Sequence, residues 1–306
     1  MLLSNLPDYV LLYINSFLDN SSLCKTFKSI YKYRKVSLKI KNSASFIYSN
    51  LWPAFIQSFY DISQIRFNIK NPDENMLLHL FKFNISELHI YDFNQIKISN
   101  ETMTILANTL KELTIHRGWL RDLSMFENCI VKELKLIYCY IKNLNGLGNI
   151  HTLMFIRCFY DNIDGGFTDV RIICNVKHLT FYQCSIPQNS INLLGNIHTL
   201  HLIACYGFVN VSALKTVHNL VLDSCNKIED LNILKTVNTL TLKDFKFPID
   251  ICKFNKVHNL TIINMKIFLN NISDLDNITV FTVIDCKIFG KSSMSFKRVN
   301  KEIINM

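Results

Sequence analysis

The hydrophobic residues of this chain recur in a pattern of about twenty residues from residue 85 to the C-terminal region. Each copy places one apolar residue three positions before a central anchor and another two positions after it. The ten anchors are Leu88, Leu113, Leu134, Leu153, Leu179, Leu200, Leu220, Leu240, Leu260 and Phe281. All three columns stay apolar in every copy, which chance would not produce, so the pattern predicts a protein built from stacked repeats.

The spacing inside each copy predicts a short β-strand, because the anchor and the residue two positions later lie on one face of an extended chain. Stacked copies are expected to pair as a parallel sheet with one buried face. Late copies return through apolar residues at steps of three, which suits a tight 3₁₀-like course. One such return contains Ile228, Leu231 and Leu234. Longer early copies predict helices over residues 71–83 and over the run that Ser99 or Asn100 would cap.

Two weaker copies precede the ten, one centred on Leu38 and one on Ile65. The segment 43–60 between them is predicted to be helical, and residues 291–306 depart from the repeat and are expected to form a cap or tail. The repeat region is therefore assigned to residues 37–290. The expected fold is an α/β solenoid with a curved parallel sheet of about ten to twelve short repeats.

Six of the ten cysteines share one column, five residues after an anchor. They are Cys139, Cys158, Cys184, Cys205, Cys225 and Cys286. A thiol is a small, mostly apolar filler with a weak donor, so we expect these side chains to be buried where the chain leaves the strand. No Cys-x-x-Cys pair occurs, which argues against zinc. We interpret the thiols as reduced and structural, which favours a cytoplasmic location, in the host cell if the source is a virus.

The repeated apolar-x-x-Leu-x-apolar-x-x-Cys resembles the leucine-rich-repeat family, and its cysteine-containing subclass is nearest. The resemblance covers about residues 37–290. It implies a long surface for binding other proteins.

Residues 6–35 predict two amphipathic helices, with an apolar face too large for so small a segment to bury alone. The motifs Leu6-Pro7-Asp8, Phe17-Leu18-Asp19 and Leu23-Cys24 resemble the F-box family, although Tyr33 stands where that family usually has Trp. The resemblance assigns residues 1–36 to an F-box-like domain that docks on the Skp-family linker of an SCF-type ubiquitin ligase. The docking residues that it implies are Leu6, Pro7, Asp8, Val10, Leu11, Ile14, Leu18, Leu23 and Cys24. The alternative interpretation is a helical cap on the solenoid, because solenoids need capped ends.

Composition and charge narrow the classes of function. The chain has 306 residues, 49% of them hydrophobic, and a net charge of +9. Its Lys and Arg residues are scattered, which argues against nucleic-acid binding, and no stretch approaches the ~18 apolar residues of a membrane span. Phosphate-loop, G-x-S-x-G and H-E-x-x-H motifs do not occur, so we expect neither an enzyme nor a cofactor.

Two groups of residues invite a metal interpretation. His151, His198, His218 and His258 lie two positions before an anchor, and His178 lies one before. No carboxylate column accompanies them, so shared repeat ancestry on a solvated surface is the favoured interpretation. Asp161, Asp164 and Asp169 occupy a Gly-containing loop, for which a solvated insertion is favoured over a calcium site.

Residues one before, one after and three after each anchor are expected to point to the concave face of the sheet. An apolar, aromatic-containing patch there would suggest a partner, unless the loop at 159–170 covers it. The predicted target-binding residues are Glu112, Glu133, His116, Ile137, Met154, Ile156, Tyr182, His201, Ile203 and Val221.

The preferred hypothesis is a substrate-recognition adaptor of an SCF-type ubiquitin ligase, monomeric by itself, whose repeats hold a target protein near the ligase. The alternative is a leucine-rich-repeat interaction scaffold with a helical N-terminal cap and no role in ubiquitin transfer.

Overall fold

The computed structural model describes residues 36–40, 65–70, 72, 74–81, 85–93, 99–160, 166–268, 278–289 and 303–304. The proposed F-box over 6–35 and the predicted helix over 43–60 lie outside the described residues. The chain divides into two compact units, residues 1–120 with 125–139 and residues 121–124 with 140–306.

The first unit contains a parallel sheet in which each repeat contributes one strand. Its strands, in spatial order, are β1 (Val36–Ile40), β2 (Ile65–Lys70), β3 (Glu87–Tyr91), β4 (Glu112–His116) and β6 (Glu133–Ile137), and a short strand β5 (Trp119–Leu120) follows β4 in the chain. Both weak copies therefore form strands. Leu38 pairs with Phe67, and Phe67 pairs with Leu88. The pairing register therefore aligns Phe67, rather than Ile65, with the anchors of the neighbouring strands.

Helices form two return segments of the first unit, between β2 and β3 and between β3 and β4, as the longer copies predict. They are α1 (Glu74–Phe81) and α2 (Asn100–Thr109). The Ser99 hydroxyl oxygen caps α2 by accepting a hydrogen bond from the Thr102 N–H at 3.2 Å. The Glu74 carboxylate accepts hydrogen bonds from the Ser99 N–H at 3.1 Å and from the hydroxyl groups of Ser99 and Thr102. These hydrogen bonds hold the pKa of Glu74 below its ordinary value and join α1 to the start of α2.

The second unit also has a parallel sheet, and its strands are almost all five residues long. In spatial order they are β8 (Thr152–Ile156), β10 (His178–Tyr182), β11 (Thr199–Ile203), β12 (Asn219–Asp223), β13 (Thr239–Lys243), β15 (Asn259–Ile263), β17 (Val280–Ile284) and the two-residue β19 (Ile303–Ile304). Short strands pair beside them: β7 (Tyr140–Ile141) with β9 (Phe159–Tyr160), and β14 (Ile249–Asp250), β16 (Lys266–Phe268) and β18 (Lys287–Phe289) in that order.

Return segments in the second unit are mostly 3₁₀ turns, which confirms the predicted change from helices to tight returns. Two of them span Ser212–Thr216 and Asn232–Thr236, each with a central leucine fully buried. The turn at Ser212 begins at an Asx contact, in which the Asn210 side chain accepts a hydrogen bond from the Ser212 N–H at 2.7 Å. A short helix α3 (Gln188–Ile191) was not predicted. Its Gln188 side chain accepts hydrogen bonds from two backbone N–H groups of the next return.

The core of each unit consists of the predicted columns. All ten anchors are at most 3% exposed, and the residues in the columns three before and two after them are at most 5% exposed. Five of the six thiols of the Cys column are buried as predicted, and Cys286 is half-buried. The Cys205 thiol donates to the carbonyl oxygen of Phe181, one repeat earlier, at 3.3 Å, and the Cys225 thiol donates to that of Leu202 at 3.4 Å. Burial raises the pKa of Cys184 to about 11 and that of Cys205 and Cys225 to about 12.

A feature that the sequence pattern did not predict is a left-handed residue four positions after every anchor. These ten residues have φ between 49° and 57° and are Asp92, Arg117, Tyr138, Arg157, Gln183, Ala204, Ser224, Asp244, Asn264 and Asp285. The left-handed turn lets the Ala204 N–H donate to the carbonyl oxygen of Asp223, in the next strand, at 2.7 Å. The column contains no β-branched residue and no glycine. It ends each strand at the same point and aims the thiol column inward.

Candidate functional site

The candidate site is the face of each sheet opposite the buried columns. We name it the open face and define it by the residues one before, one after and three after each anchor. All ten predicted target-binding residues lie on it and are half-buried. Half-burial is expected for side chains that lean on their neighbours across a sheet while solvent reaches their tips.

In the first unit the open face is charged and aromatic. Glu112 of β4 pairs in register with Glu133 of β6, and His116 pairs with Ile137. Lys135 lies 2.5 Å from Glu133 and offsets one of the two negative charges. The His116 ring stacks on Tyr91, with centroids 4.2 Å apart, and burial followed by the Arg117 charge lowers the pKa of His116. His116 is therefore favoured as a neutral, aromatic contact residue.

In the second unit the open face carries an apolar row. Ile156, Tyr182 and Ile203 pair in register across β8, β10 and β11. A second row runs beside them, with members Met154, Thr180, His201 and Val221 in adjacent strands. Burial lowers the pKa of His201, which favours its neutral form within this row. We name these seven residues the apolar patch.

The apolar patch ends at a charged pair. Asp223, in register with Ile203, lies 2.9 Å from the amine of Lys243 in the next strand. Lys243 also lies 3.5 Å from Asp244, and these carboxylates raise its pKa. An ion pair at the border of an apolar surface is typical of the rim of a protein interface, where charge contributes orientation more than affinity.

Tyr160 and Phe167, on the two sides of residues 161–165, pack toward the core. Phe167 is fully buried, with ring centroids 4.8 Å from Phe155 and 5.1 Å from Phe181. Tyr160 packs on the same Phe167 ring at 5.8 Å. The alternative that the loop at 159–170 covers the patch concerns only residues 161–165, which lie outside the described residues.

The predicted histidine column forms a contiguous series of rings in the second unit. Ring centroids are 5.0 Å apart for His151 and His178, 6.2 Å for His178 and His198, and 4.8 Å for His198 and His218. The rings of His198 and His218 are nearly parallel, at 9°. The Nδ1 atoms of His151, His198 and His218 lie within hydrogen-bond distance of the side chain of the next residue, so each ring is held in place.

Metal ligation finds no support within the described ranges, where no group of three or more His, Cys, Asp or Glu side chains could hold a metal ion. Asp169 of the Gly-containing loop pairs instead with Arg171 at 3.0 Å, and this contact lowers the pKa of Asp169. Over the same part of the chain, no helix has the length and hydrophobicity to cross a membrane.

Comparison with solved structures identifies the fold. The chain is similar to an internalin, InlF, from Listeria monocytogenes, with a TM-score of 0.52 and 15% sequence identity over 96% of this chain and 98% of the internalin. It also resembles the functional domain of Listeria monocytogenes InlJ, which includes a cysteine ladder, with a TM-score of 0.46 and 14% identity over 74% of this chain and 51% of that one. No protein-family model and no curated protein matches the chain. The fold is that of leucine-rich-repeat proteins, as the sequence resemblance implied.

Proposed function

We propose that this protein is a leucine-rich-repeat interaction protein, and that the apolar patch is the centre of its contact with a partner protein. The row Ile156, Tyr182 and Ile203 carries this proposal, because these side chains lie side by side on a face that has no core to join. Aromatic and large aliphatic residues at the centre of a contact supply most of its affinity.

The partner is expected to present apolar side chains bordered by charge. The pair Asp223–Lys243 lies directly beside the patch and presents both signs within 2.9 Å. A folded protein surface with an apolar centre and a mixed-charge rim meets that arrangement, whereas a uniformly charged polymer does not.

The test is a binding experiment on the full chain with a matched pair of variants. Ile203→Glu places a charge in the apolar row, and Thr261→Glu makes the same change on the open face of β15, away from the patch. A partner found by crosslinking at the patch and then purified should bind the wild type and Thr261→Glu equally, and Ile203→Glu at least about a hundredfold more weakly. Equal binding by all three proteins would refute the role of the patch.

The more specific proposal is that the protein acts in the cytoplasm as an SCF-type ubiquitin-ligase adaptor without an active site of its own. What supports it is the resemblance of Leu6-Pro7-Asp8 and of the sequence that follows, over residues 9–35, to the F-box, together with the repeats after it. Such an adaptor works by proximity, because it raises the effective concentration of a bound target near the ligase.

Direct binding to a Skp-family linker tests the adaptor proposal. Replacing Leu6 and Pro7 by Ala should abolish capture of the linker and leave the circular dichroism of the repeats unchanged. Retention of the linker by a chain that lacks residues 1–36 would disprove the proposal, and the scaffold function would stand.

A further inference from the structure

The second unit has a basic edge where each repeat leads into its strand. We define the basic edge as the six residues before each anchor in six successive repeats, residues 147–152, 173–178, 194–199, 214–219, 234–239 and 254–259. These positions hold four Lys, five His and no Asp or Glu. The basic residues are Lys177, Lys215, Lys235, Lys256, His151, His178, His198, His218 and His258. All nine are exposed except the half-buried His178.

The first unit shows that the repeat does not require this arrangement. At the equivalent positions, Glu87, Glu112 and Glu133 directly precede the anchors, so that Lys111 and Lys132 have acidic neighbours. The repeat fixes burial of the columns, not the charge of this edge. These six repeats therefore differ from the first unit in having basic residues and no acid at this edge.

The geometry of the edge suits a chain-like ligand. Neighbouring parallel strands lie about 4.8 Å apart, so successive repeats place their basic groups along the edge at about that step, and we call this series the ladder. A shallow depression with a volume of about 510 Å³ lies on this ladder and is lined by Lys215, Thr216, Val217, His218, Thr236 and Asn238. The depression offers the amine of Lys215 and the imidazole of His218 together with hydroxyl and amide groups, which are donors that suit carboxylates.

The histidine rings couple ligand binding to protonation. His198 and His218 stack at 4.8 Å, and two imidazolium ions at that distance repel each other. Burial first, and then the charges of His151, Lys177, His198 and His201, lower the pKa of His178. The remaining lysines of the basic edge are Lys215, Lys235 and Lys256. A bound anion would offset this repulsion, so anion binding and proton uptake should favour each other.

We propose that the basic edge is a second binding surface and that its ligand is an acidic polypeptide segment, rich in Asp and Glu, which binds more tightly as the histidines become protonated. Acidic residues spaced four apart on a helix lie about 5–6 Å apart, close to the step of the ladder. A nucleic acid fits less well, because the edge has no Arg, Trp or Tyr to clamp phosphates or stack bases, and its one Phe, Phe254, is buried.

The test measures binding of a fluorescein-labelled oligoglutamate peptide to the full chain by anisotropy. Affinity should rise about tenfold between about pH 7.5 and pH 5.5, and it should fall with added salt. The double variant Lys215→Ala/Lys235→Ala should weaken binding at least about tenfold at both pH values, and His198→Gln/His218→Gln should reduce the pH dependence. The matched control is Lys111→Ala/Lys132→Ala in the first unit, which should bind like the wild type.

A measurement on the wild type alone guards against variants that fail to fold. The peptide should protect His151, His198 and His218 from modification by diethylpyrocarbonate, read by mass spectrometry, and leave His116 unprotected. Unchanged binding by the Lys215/Lys235 variant, unprotected histidines, or tighter binding of an oligothymidylate of equal charge would each overturn the proposal. Because the apolar patch is not involved, Ile203→Glu should bind the oligoglutamate normally, so the two proposals fail independently.

Discussion

The two units bury the same columns and share the left-handed turn after each strand, but they differ in their return segments and in the charge of their exposed residues. Ile115 of the first unit and Phe181 of the second occupy the same inward position, two after an anchor, and both are fully buried. Two described returns of the first unit, in contrast, are α-helices, whereas the returns of the second unit are mainly 3₁₀ turns. The comparison teaches that three columns suffice to specify the repeat, which leaves the open face and the basic edge available for binding.

The shared column should carry the largest stability cost. Phe181→Ala removes a ring whose centroid lies 5.1 Å from both Phe155 and Phe167, and it should lower the free energy of unfolding by about 3–5 kcal/mol. Ile115→Ala should cost about 2–5 kcal/mol in the first unit for the same reason. Urea unfolding followed by circular dichroism measures both. The control is Thr180→Ala on the open face. If either Phe181→Ala or Ile115→Ala cost less than this control, the two units would not depend equally on this column.

The buried thiols predict a loss of stability at alkaline pH. The folded-state pKa values of Cys205 and Cys225 are raised to about 12, above the ordinary value of about 8.5 in an unfolded chain. The stability that these protonated thiols contribute is complete below about pH 8.5 and is lost as pH rises toward 12. The loss reaches on the order of 2 kcal/mol per thiol at about pH 10.

Unfolding at several pH values tests this linkage. The variant Cys205→Ala/Cys225→Ala should show a shallower fall of unfolding free energy between about pH 8.5 and pH 10 than the wild type. Cys174→Ala, which removes a half-buried thiol outside the column, serves as the control and should keep the wild-type slope. Identical slopes in all three proteins would contradict burial of the thiol column.

The helical return α2 of the first unit predicts a capping effect on stability. Ser99→Ala removes the hydroxyl that accepts from Thr102 and donates to Glu74, and it should cost about 1 kcal/mol. Thr104→Ala, on the exposed side of α2, should cost less. Urea unfolding of the two variants decides the matter, and an equal cost would show that the cap contributes nothing.

The left-handed column predicts the smallest effect on stability. Replacing an alanine by glycine should stabilise the protein inside this column and destabilise it elsewhere. Ala204 has φ of 50°, a conformation that glycine adopts without strain, so Ala204→Gly should stabilise the protein by about 0.5 kcal/mol. Ala213 lies in the turn Ser212–Thr216, where Ala213→Gly should destabilise by about 0.5–1 kcal/mol. Thermal unfolding of both variants should give shifts of opposite direction.

Sequence reasoning recovered the elements that depend on hydrophobic spacing. The strands around Leu88 to Phe281, the helices α1 and α2 and the inward thiols follow from burial, which leaves a periodic trace. The left-handed column escaped because its residues range from Arg157 to Ala204 and share no type. The anchor Phe67 was misplaced because Ile65, two residues away, has the same parity and similar hydrophobicity. The repeat spacing placed the histidines in a column, but the contacts between the rings of His151, His178, His198 and His218 are seen only in the structure.

The equal step of twenty residues from Leu200 to Leu260 has an evolutionary and a practical consequence. Each left-handed N–H from Ala204 to Asn264 donates to a carbonyl oxygen in the next repeat, so these repeats share one kind of backbone connection, while thiol bonds occur only in the repeats that have a cysteine. Duplication of a module such as residues 219–238 should preserve these backbone hydrogen bonds, whereas its excision removes Asp223, the partner of Lys243. Each added repeat would lengthen the open face and the basic edge by the side chains of one strand, and with them the two proposed binding surfaces.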